Sequence, residues 1–199
     1  LALLYSYLLE HKGWKGPAVR NIATTHLLDR IAEAHGEECV EVPVGFKHIS
    51  AAMEEHKALI GGESSGGLTV RGHISGKDGI YAAALLTEML AVTGKSISAL
   101  YREITDAYGE LRYCEADFRM SPARKAQLQT QLFEEGLLPA FSDVDRVDRS
   151  DGVKLWLSDG SWVICRFSGT EPLLRMAAEA ESEERAESLI GAWRELLSL

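Results

Sequence analysis

The apolar and polar residues of this chain fall into two rhythms, one in each half. In the first half, short apolar runs of strand length alternate with stretches at helical spacing. Leu1 to Leu9 reads as an amphipathic helix, and Gly13 and Gly16-Pro17 then turn the chain. Residues 18–23 read as a strand. Thr24 or Thr25 is placed to cap a helix running to about Ala34, with Leu27, Leu28 and Ile31 on one face. Residues 39–42 predict a second strand, and Gly45 turns into a helix carrying Ile49, Ala52 and Met53. Residues 58–60 predict a third strand ending in Gly61-Gly62, after which a glycine-rich loop extends to about Asp78. Helices are expected over residues 80–91, closed by Gly94, and 97–108, capped by Ser96. Strands separated by helices imply an α/β domain whose largely parallel, mixed sheet is covered on both faces.

The second half changes character. Ser121-Pro122 supplies a cap followed by proline at the first helical position, opening a helix to about Glu135. Short strands are then expected at 143–147, 153–157, 162–166 and 173–178, with tight turns at Ser150-Asp151-Gly152 and Ser158-Asp159-Gly160. Consecutive strands with tight turns predict an antiparallel sheet. From Ser182 onward a final helix presents Leu189, Ile190, Trp193, Leu196 and Leu197 as its buried stripe. The expectation is an α/β domain over residues 1–112 and a smaller α+β domain with an antiparallel sheet over residues 119–199. Their boundary is read between 110 and 119.

Composition narrows the function. An apolar content of 46% over 199 residues supports real hydrophobic cores, and no apolar run has the length of a membrane span. A formal charge of -9 speaks against broad nucleic-acid binding, which depends on neutralising phosphates. Cys39, Cys114 and Cys165 are few, odd in number and far apart, so a reducing, cytoplasmic setting without a disulfide frame is expected. The absence of an initial methionine suggests a fragment or a processed chain.

The richest chemistry lies in Arg166-Phe167-Ser168-Gly169-Thr170-Glu171-Pro172, with Arg175 beyond it. A strand is expected on either side, so the heptapeptide reads as a turn. Two hydroxyls, a glycine N–H and two guanidiniums there form a donor-rich set with almost no acceptor, which suits a phosphate dianion. The plainer reading is a hairpin whose Ser and Thr bond their own backbone. A second candidate is Gly61-Gly62-Glu63-Ser64-Ser65-Gly66-Gly67, expected at the carboxyl end of a parallel strand. Glu63 beside Ser65 can receive and donate hydrogen bonds to neighbouring sugar hydroxyls. His73, Lys77 and Asp78 follow closely, and Lys47 sits near an expected helix start. The same loop contains the pattern G-x-S-x-G, but no Asp or Glu separates Ser64 from His73, the only later histidine, and glycines follow the serine. A serine-hydrolase triad is therefore not supported. The histidines lack metal-ligand spacing.

Four stretches in order, Val44-Gly45-Phe46-Lys47, Gly62-Glu63-Ser64-Ser65-Gly66-Gly67, Gly76-Lys77-Asp78-Gly79 and Arg166-Phe167-Ser168-Gly169-Thr170-Glu171-Pro172, resemble the α-D-phosphohexomutases, nearest to bacterial phosphoglucomutase/phosphomannomutase. The resemblance covers the whole chain as the family's third and fourth domains. It implies reversible phosphate transfer between the 1- and 6-positions of a hexose, glucose first among them, through a bisphosphorylated sugar. By that resemblance Glu63 and Ser65 hold ring hydroxyls. Lys47, His73 and Lys77 line the cleft, Lys77 as a proton carrier. Arg166, Ser168, Gly169, Thr170 and Arg175 grip the phosphate that is not reacting. The family's phosphoserine loop and magnesium-binding aspartate loop have no counterpart here. Magnesium and glucose 1,6-bisphosphate are thus expected only with the full-length enzyme, with N-terminal domains of the same protein as partners and the fragment inactive alone. Ser64 stands where relatives often carry Glu. The alternative reading is a non-catalytic sugar-phosphate-binding or regulatory module.

Overall fold

A computed structural model describes residues 1–169 and 171–199, and divides the chain into two compact units, Leu1–Glu110 and Leu111–Leu199. In the first unit β1 (Ala18–Asn21), β2 (Cys39–Val42) and β3 (Ile60–Gly62) run parallel, and β4 (Leu68–Val70) pairs antiparallel with β3. The order is β2-β1-β3-β4. The chain therefore leaves β1 for β2 on one side, then crosses back over β1 to reach β3 on the other. The crevice at the carboxyl ends of β1 and β3 is a topological switch point, where open α/β sheets bind ligands.

Helix α3 (Phe46–Glu55) covers one sheet face, with Ile49 and Ala52 packed on Val19 and Ala58. Gly61 makes this close approach possible, since a Cβ there would lie 2.6 Å from Met53 Sδ and 2.7 Å from Ile49 Cγ2. On the opposite face Arg20 is buried between Asp29 of α2 (Leu27–Ala34), at 2.6 and 2.9 Å, and Glu41 of β2, at 2.6 Å. Removing one partner of such a group costs about 3–5 kcal/mol, because the other charge stays buried.

Several sequence expectations change here. Helix α1 (Ala2–Glu10) is not two-faced: residues 4–9 are all buried, because α2, α4 (Gly79–Thr93) and α5 (Ile97–Tyr108) surround it. Helix α2 begins after His26 without a side-chain cap, while Thr25 Oγ1 accepts from the Leu27 N–H at 3.1 Å. The loop expected after Gly61-Gly62, to about Asp78, contains β4, whose three residues are too few to show an alternation. Among the described residues no single helix is long and apolar enough to cross a membrane, and α4 and α5 are bent by 81° at their junction.

The second unit is one antiparallel sheet in the order β5-β9-β8-β7-β6. Its strands are β5 (Arg112–Arg119), β6 (Val144–Asp148), β7 (Val153–Leu157), β8 (Trp162–Phe167) and β9 (Leu173–Ala180). Within the stretch read as the boundary, 110–119, the two units divide after Glu110, and residues 112–119 form β5, paired along their whole length with β9. Their period-two alternation of Cys114, Ala116 and Phe118 with charged residues was masked by the polar face of an edge strand. Helix α7 (Glu183–Leu197), capped by Ser182, lays Leu189, Trp193 and Leu197 on Leu155, Val163, Cys165, Met176 and Ala178. Burying such side chains contributes about 1.5–3 kcal/mol each. Helix α6 (Pro122–Gln129) continues as a π-helical turn, Thr130–Glu134, in place of one α-helix to Glu135.

Candidate functional sites in the two units

The first unit's site forms where β1, β3 and the start of α3 meet. Residues 63–67 are the turn of the β3–β4 hairpin, closed by the Glu63 N–H to Gly67 O at 2.9 Å and opened by Gly66 at φ +89°. A strand, not a helix, follows Ser64, so the geometry required of a nucleophilic serine elbow is missing. Glu63 points inward and is only 7% exposed. Its carboxylate accepts from the Gly45 N–H at 3.3 Å and Asn21 Nδ2 at 3.5 Å, and pairs with Lys77 Nζ at 2.6 Å. The stem of Lys77 crosses Gly67, where a Cβ would stand 2.6 Å from Lys77 Cδ, and its ammonium lies 5.3 Å from the Phe46 ring centroid. Gly67 is small because Lys77 occupies that space.

Of the residues named from sequence, Glu63 and Lys77 are brought into contact. Ser65 is exposed in the same turn, and Lys47 is exposed in the first turn of α3, which Gly45 begins. His73 has partners of its own. Its Nε2 lies 2.8 Å from Asp78 Oδ2, and its ring stacks on Tyr81 with centroids 4.0 Å apart. Asp78 also caps α4 by accepting from the Ile80 and Tyr81 N–H groups. The Tyr81 backbone bond first, and the His73 contact next, hold its carboxyl below the usual carboxylate range. Asn21 was not legible as a site residue; only the strand order brings it beside Glu63.

The second unit's site is the β8–β9 turn. Arg166 and Arg175 are direct cross-strand partners, so both guanidiniums leave the same face of the sheet. Like charges placed opposite each other destabilise a strand pair, and here carboxylates offset them. Arg166 Nε contacts Asp151 Oδ1 at 2.8 Å with both side chains one-fifth exposed; Arg175 lies 3.4 Å from Glu171 and 3.9 Å from Asp117, all about half exposed. The expectation of almost no acceptor is thus corrected: three carboxylates stand by, two of them contributed by β5 and by the β6–β7 turn. The half-exposed pairs are weak and exchangeable. Asp151 engages one of the five N–H donors of Arg166.

The turn itself is closed by the Ser168 N–H to Leu173 O at 2.9 Å and the Glu171 N–H to Ser168 Oγ at 3.2 Å. Gly169 is exposed. Thr170, named from sequence, lies outside the described residues. Two further residues reach this turn without any sequence signal. Lys125 of α6 donates to Ser168 O at 3.0 Å, and the Gly152 turn packs directly on Arg166. Among the described residues no three His, Cys, Asp or Glu side chains are grouped to hold a metal ion.

Fold and site together describe an α/β unit with a polar crevice at its switch point, followed by an α+β unit with a basic hairpin turn. Residues 1–108 match the family described as phosphoglucomutase/phosphomannomutase, alpha/beta/alpha domain III, and residues 114–196 match its C-terminal domain. The chain belongs to the phosphoglucomutase/phosphomannomutase family. It is 35% identical over 187 residues to a phosphoglucomutase/phosphomannomutase of Thermococcus kodakarensis, covering 93% of this chain and 38% of that protein. It is 35% identical over 189 residues to a probable phosphoglucosamine mutase of Methanopyrus kandleri, covering 95% and 40%. Among solved structures, a putative phosphomannomutase from Thermus thermophilus superposes with a TM-score of 0.78 at 32% identity, covering all of this chain and 40% of that one. The chain thus spans about two fifths of the length of these relatives.

Proposed function

We propose that this chain is the sugar- and phosphate-holding part of a cytoplasmic phosphohexomutase that interconverts hexose 1-phosphates and 6-phosphates, glucose first among them. The observation that supports this most is the Arg166–Arg175 cross-strand pair beside a turn with an exposed glycine. Two guanidiniums side by side on a sheet face, one of them held only by half-exposed carboxylates, favour a dianion that can bridge them. In this reading the two guanidiniums, Ser168, Gly169 and Thr170 hold the phosphate that is not reacting. Binding energy gained there positions the reacting end. Glu63 and Ser65 receive ring hydroxyls, and Lys47 and Lys77 supply positive charge. Lys77, already in contact with Glu63, is placed to pass a proton to or from a hydroxyl that Glu63 holds. His73 is anchored by Asp78 and Tyr81 and would meet the sugar with its other ring nitrogen.

Glucose 1,6-bisphosphate fits this donor set, since one of its phosphates can sit at the turn. Magnesium does not fit, because the carboxylates near both sites are engaged with lysine or arginine. Its site would belong to the N-terminal domains of the longer protein, and no step here is assigned to it. The related proteins include a probable phosphoglucosamine mutase as well as a phosphoglucomutase/phosphomannomutase, and in this reading Glu63 and its neighbours choose among the hexoses. The test is an NMR titration of the 199-residue chain with glucose 6-phosphate, mannose 6-phosphate and glucosamine 6-phosphate. Shifts at Gly169 and the Arg166 and Arg175 side chains are expected with all three, and shifts at Glu63 and Ser65 should rank the sugars. An unresponsive turn would refute the reading. Turnover of glucose 1-phosphate by this chain alone would refute its dependence on other domains.

A further inference from the structure

In the β8–β9 turn one peptide, Ser168–Gly169, has its acceptor engaged and its donor open. Three carbonyls are already committed: Leu173 O accepts from the Ser168 N–H at 2.9 Å, Pro172 O from the Met120 N–H at 3.1 Å, and Ser168 O from Lys125 Nζ at 3.0 Å. Two of these three donors, Met120 and Lys125, come from the start of α6, whose position is fixed by the Ser121 cap and Pro122. The Gly169 N–H, by contrast, makes no hydrogen bond among the described residues. Backbone groups seek partners, so a peptide whose carbonyl is held and whose N–H is open, as between Ser168 and Gly169, is prepared to donate to an anion.

Lys125 decides the orientation of one peptide in particular. The structure has no cis peptide bonds among the described residues, and in a trans peptide the C=O and N–H point in opposite directions. Holding Ser168 O towards α6 therefore turns the Gly169 N–H away from α6. Without the lysine the bond that holds Ser168 O towards α6 is lost; glycine tolerates both orientations, and the flipped one presents a carbonyl oxygen to the anion. The Lys125 ammonium also lies over the Phe167 ring, with Nζ 5.9 Å from its centroid, a second contact that holds it beside the turn.

We infer that Lys125 is a positioning residue of the phosphate-holding turn: through the Ser168 carbonyl it aims the Gly169 N–H at the bound phosphate. This rests on the proposed function, and the experiment separates the two. The 15N-labelled chain is titrated with inorganic phosphate and with glucose 6-phosphate, as the wild type and as Lys125→Met, Lys125→Gln and Lys125→Arg. Lys125→Met is expected to weaken both ligands about fivefold, the scale of one lost hydrogen-bonding arrangement, and to abolish the Gly169 amide shift. Lys125→Arg should restore both, and Lys125→Gln, a neutral donor, should keep the Gly169 shift with part of the affinity. A merely structural lysine would leave the Gly169 shift intact in every variant, and that result overturns the inference while the phosphate reading stands. A wild-type turn that ignores both ligands overturns the phosphate reading and the inference with it.

Discussion

Three glycines of the second unit isolate what holds Arg166 in place. Gly152 has φ +101°, and a Cβ added there would lie 2.7 Å from Cys165 O, 3.0 Å from Arg166 Cβ and 3.1 Å from Arg166 Cα. Gly160 has a comparable φ of +82° with nothing within 4 Å, and Gly169 has neither a positive φ nor a neighbour within 4 Å. Alanine at Gly160 should therefore cost only the left-handed conformation, about 1–2 kcal/mol. At Gly152 the overpacking against backbone adds about 1–3 kcal/mol, for a total of about 2–5 kcal/mol. At Gly169 the change should stay within about 0.5 kcal/mol. For a unit of this size each kcal/mol moves Tm by about 4–8 °C, so Gly152→Ala should melt about 10 °C or more below Gly160→Ala at the middle of these ranges. Tryptophan fluorescence reports this unit selectively, since Trp156, Trp162 and Trp193 lie in it and Trp14 alone does not. Equal losses for Gly152→Ala and Gly160→Ala would refute the close approach of the Gly152 turn to Arg166. Phosphate binding supplies the second readout: Gly152→Ala displaces Arg166 and should weaken it, whereas Gly160→Ala should not.

Arg166→Ala should weaken binding of glucose 6-phosphate by about 1.5–3 kcal/mol, the worth of a charged hydrogen bond, measured by calorimetry; unchanged affinity counts against its phosphate role. Glu171→Gln frees Arg175 from a half-exposed ion pair and should tighten inorganic phosphate binding by no more than about 1 kcal/mol, with weaker binding as the contrary result. The carboxyl of Asp78 is held below its ordinary value, so its contribution to stability is present above pH about 4 and fades as pH falls through the lower folded-state value. Asp78→Ala should lose that part of the acid dependence in urea melts between pH 2 and 6, and identical pH profiles would disprove it. Burial drives the Cys165 thiol well above its usual value, so it should resist alkylation at pH 8 until the chain unfolds. Mass spectrometry of iodoacetamide-treated native protein showing Cys165 modified first would reject this.

The two rhythms of the chain and most of its elements were legible from local pattern alone. A strand over 153–157, a helix capped by Ser121 before Pro122, another capped by Ser182, and a Gly94 terminus are each fixed by residues within a few positions of one another. So was the composition of the two candidate turns, because Glu63, Ser65, Arg166, Ser168 and Gly169 lie in contiguous stretches. Whatever depends on which strand lies beside which came instead from the folded arrangement. The order β2-β1-β3 brings Asn21 and Gly45 onto Glu63, and the β8–β9 register sets Arg166 opposite Arg175. Pairing with β9 made a strand of residues 112–119, just beyond the division between units, and the placement of α6 carried Lys125 to a carbonyl 43 residues away in the chain. Local pattern reports propensity and burial over one or two turns of chain, whereas partners of this kind are chosen by the packing of elements far apart in sequence.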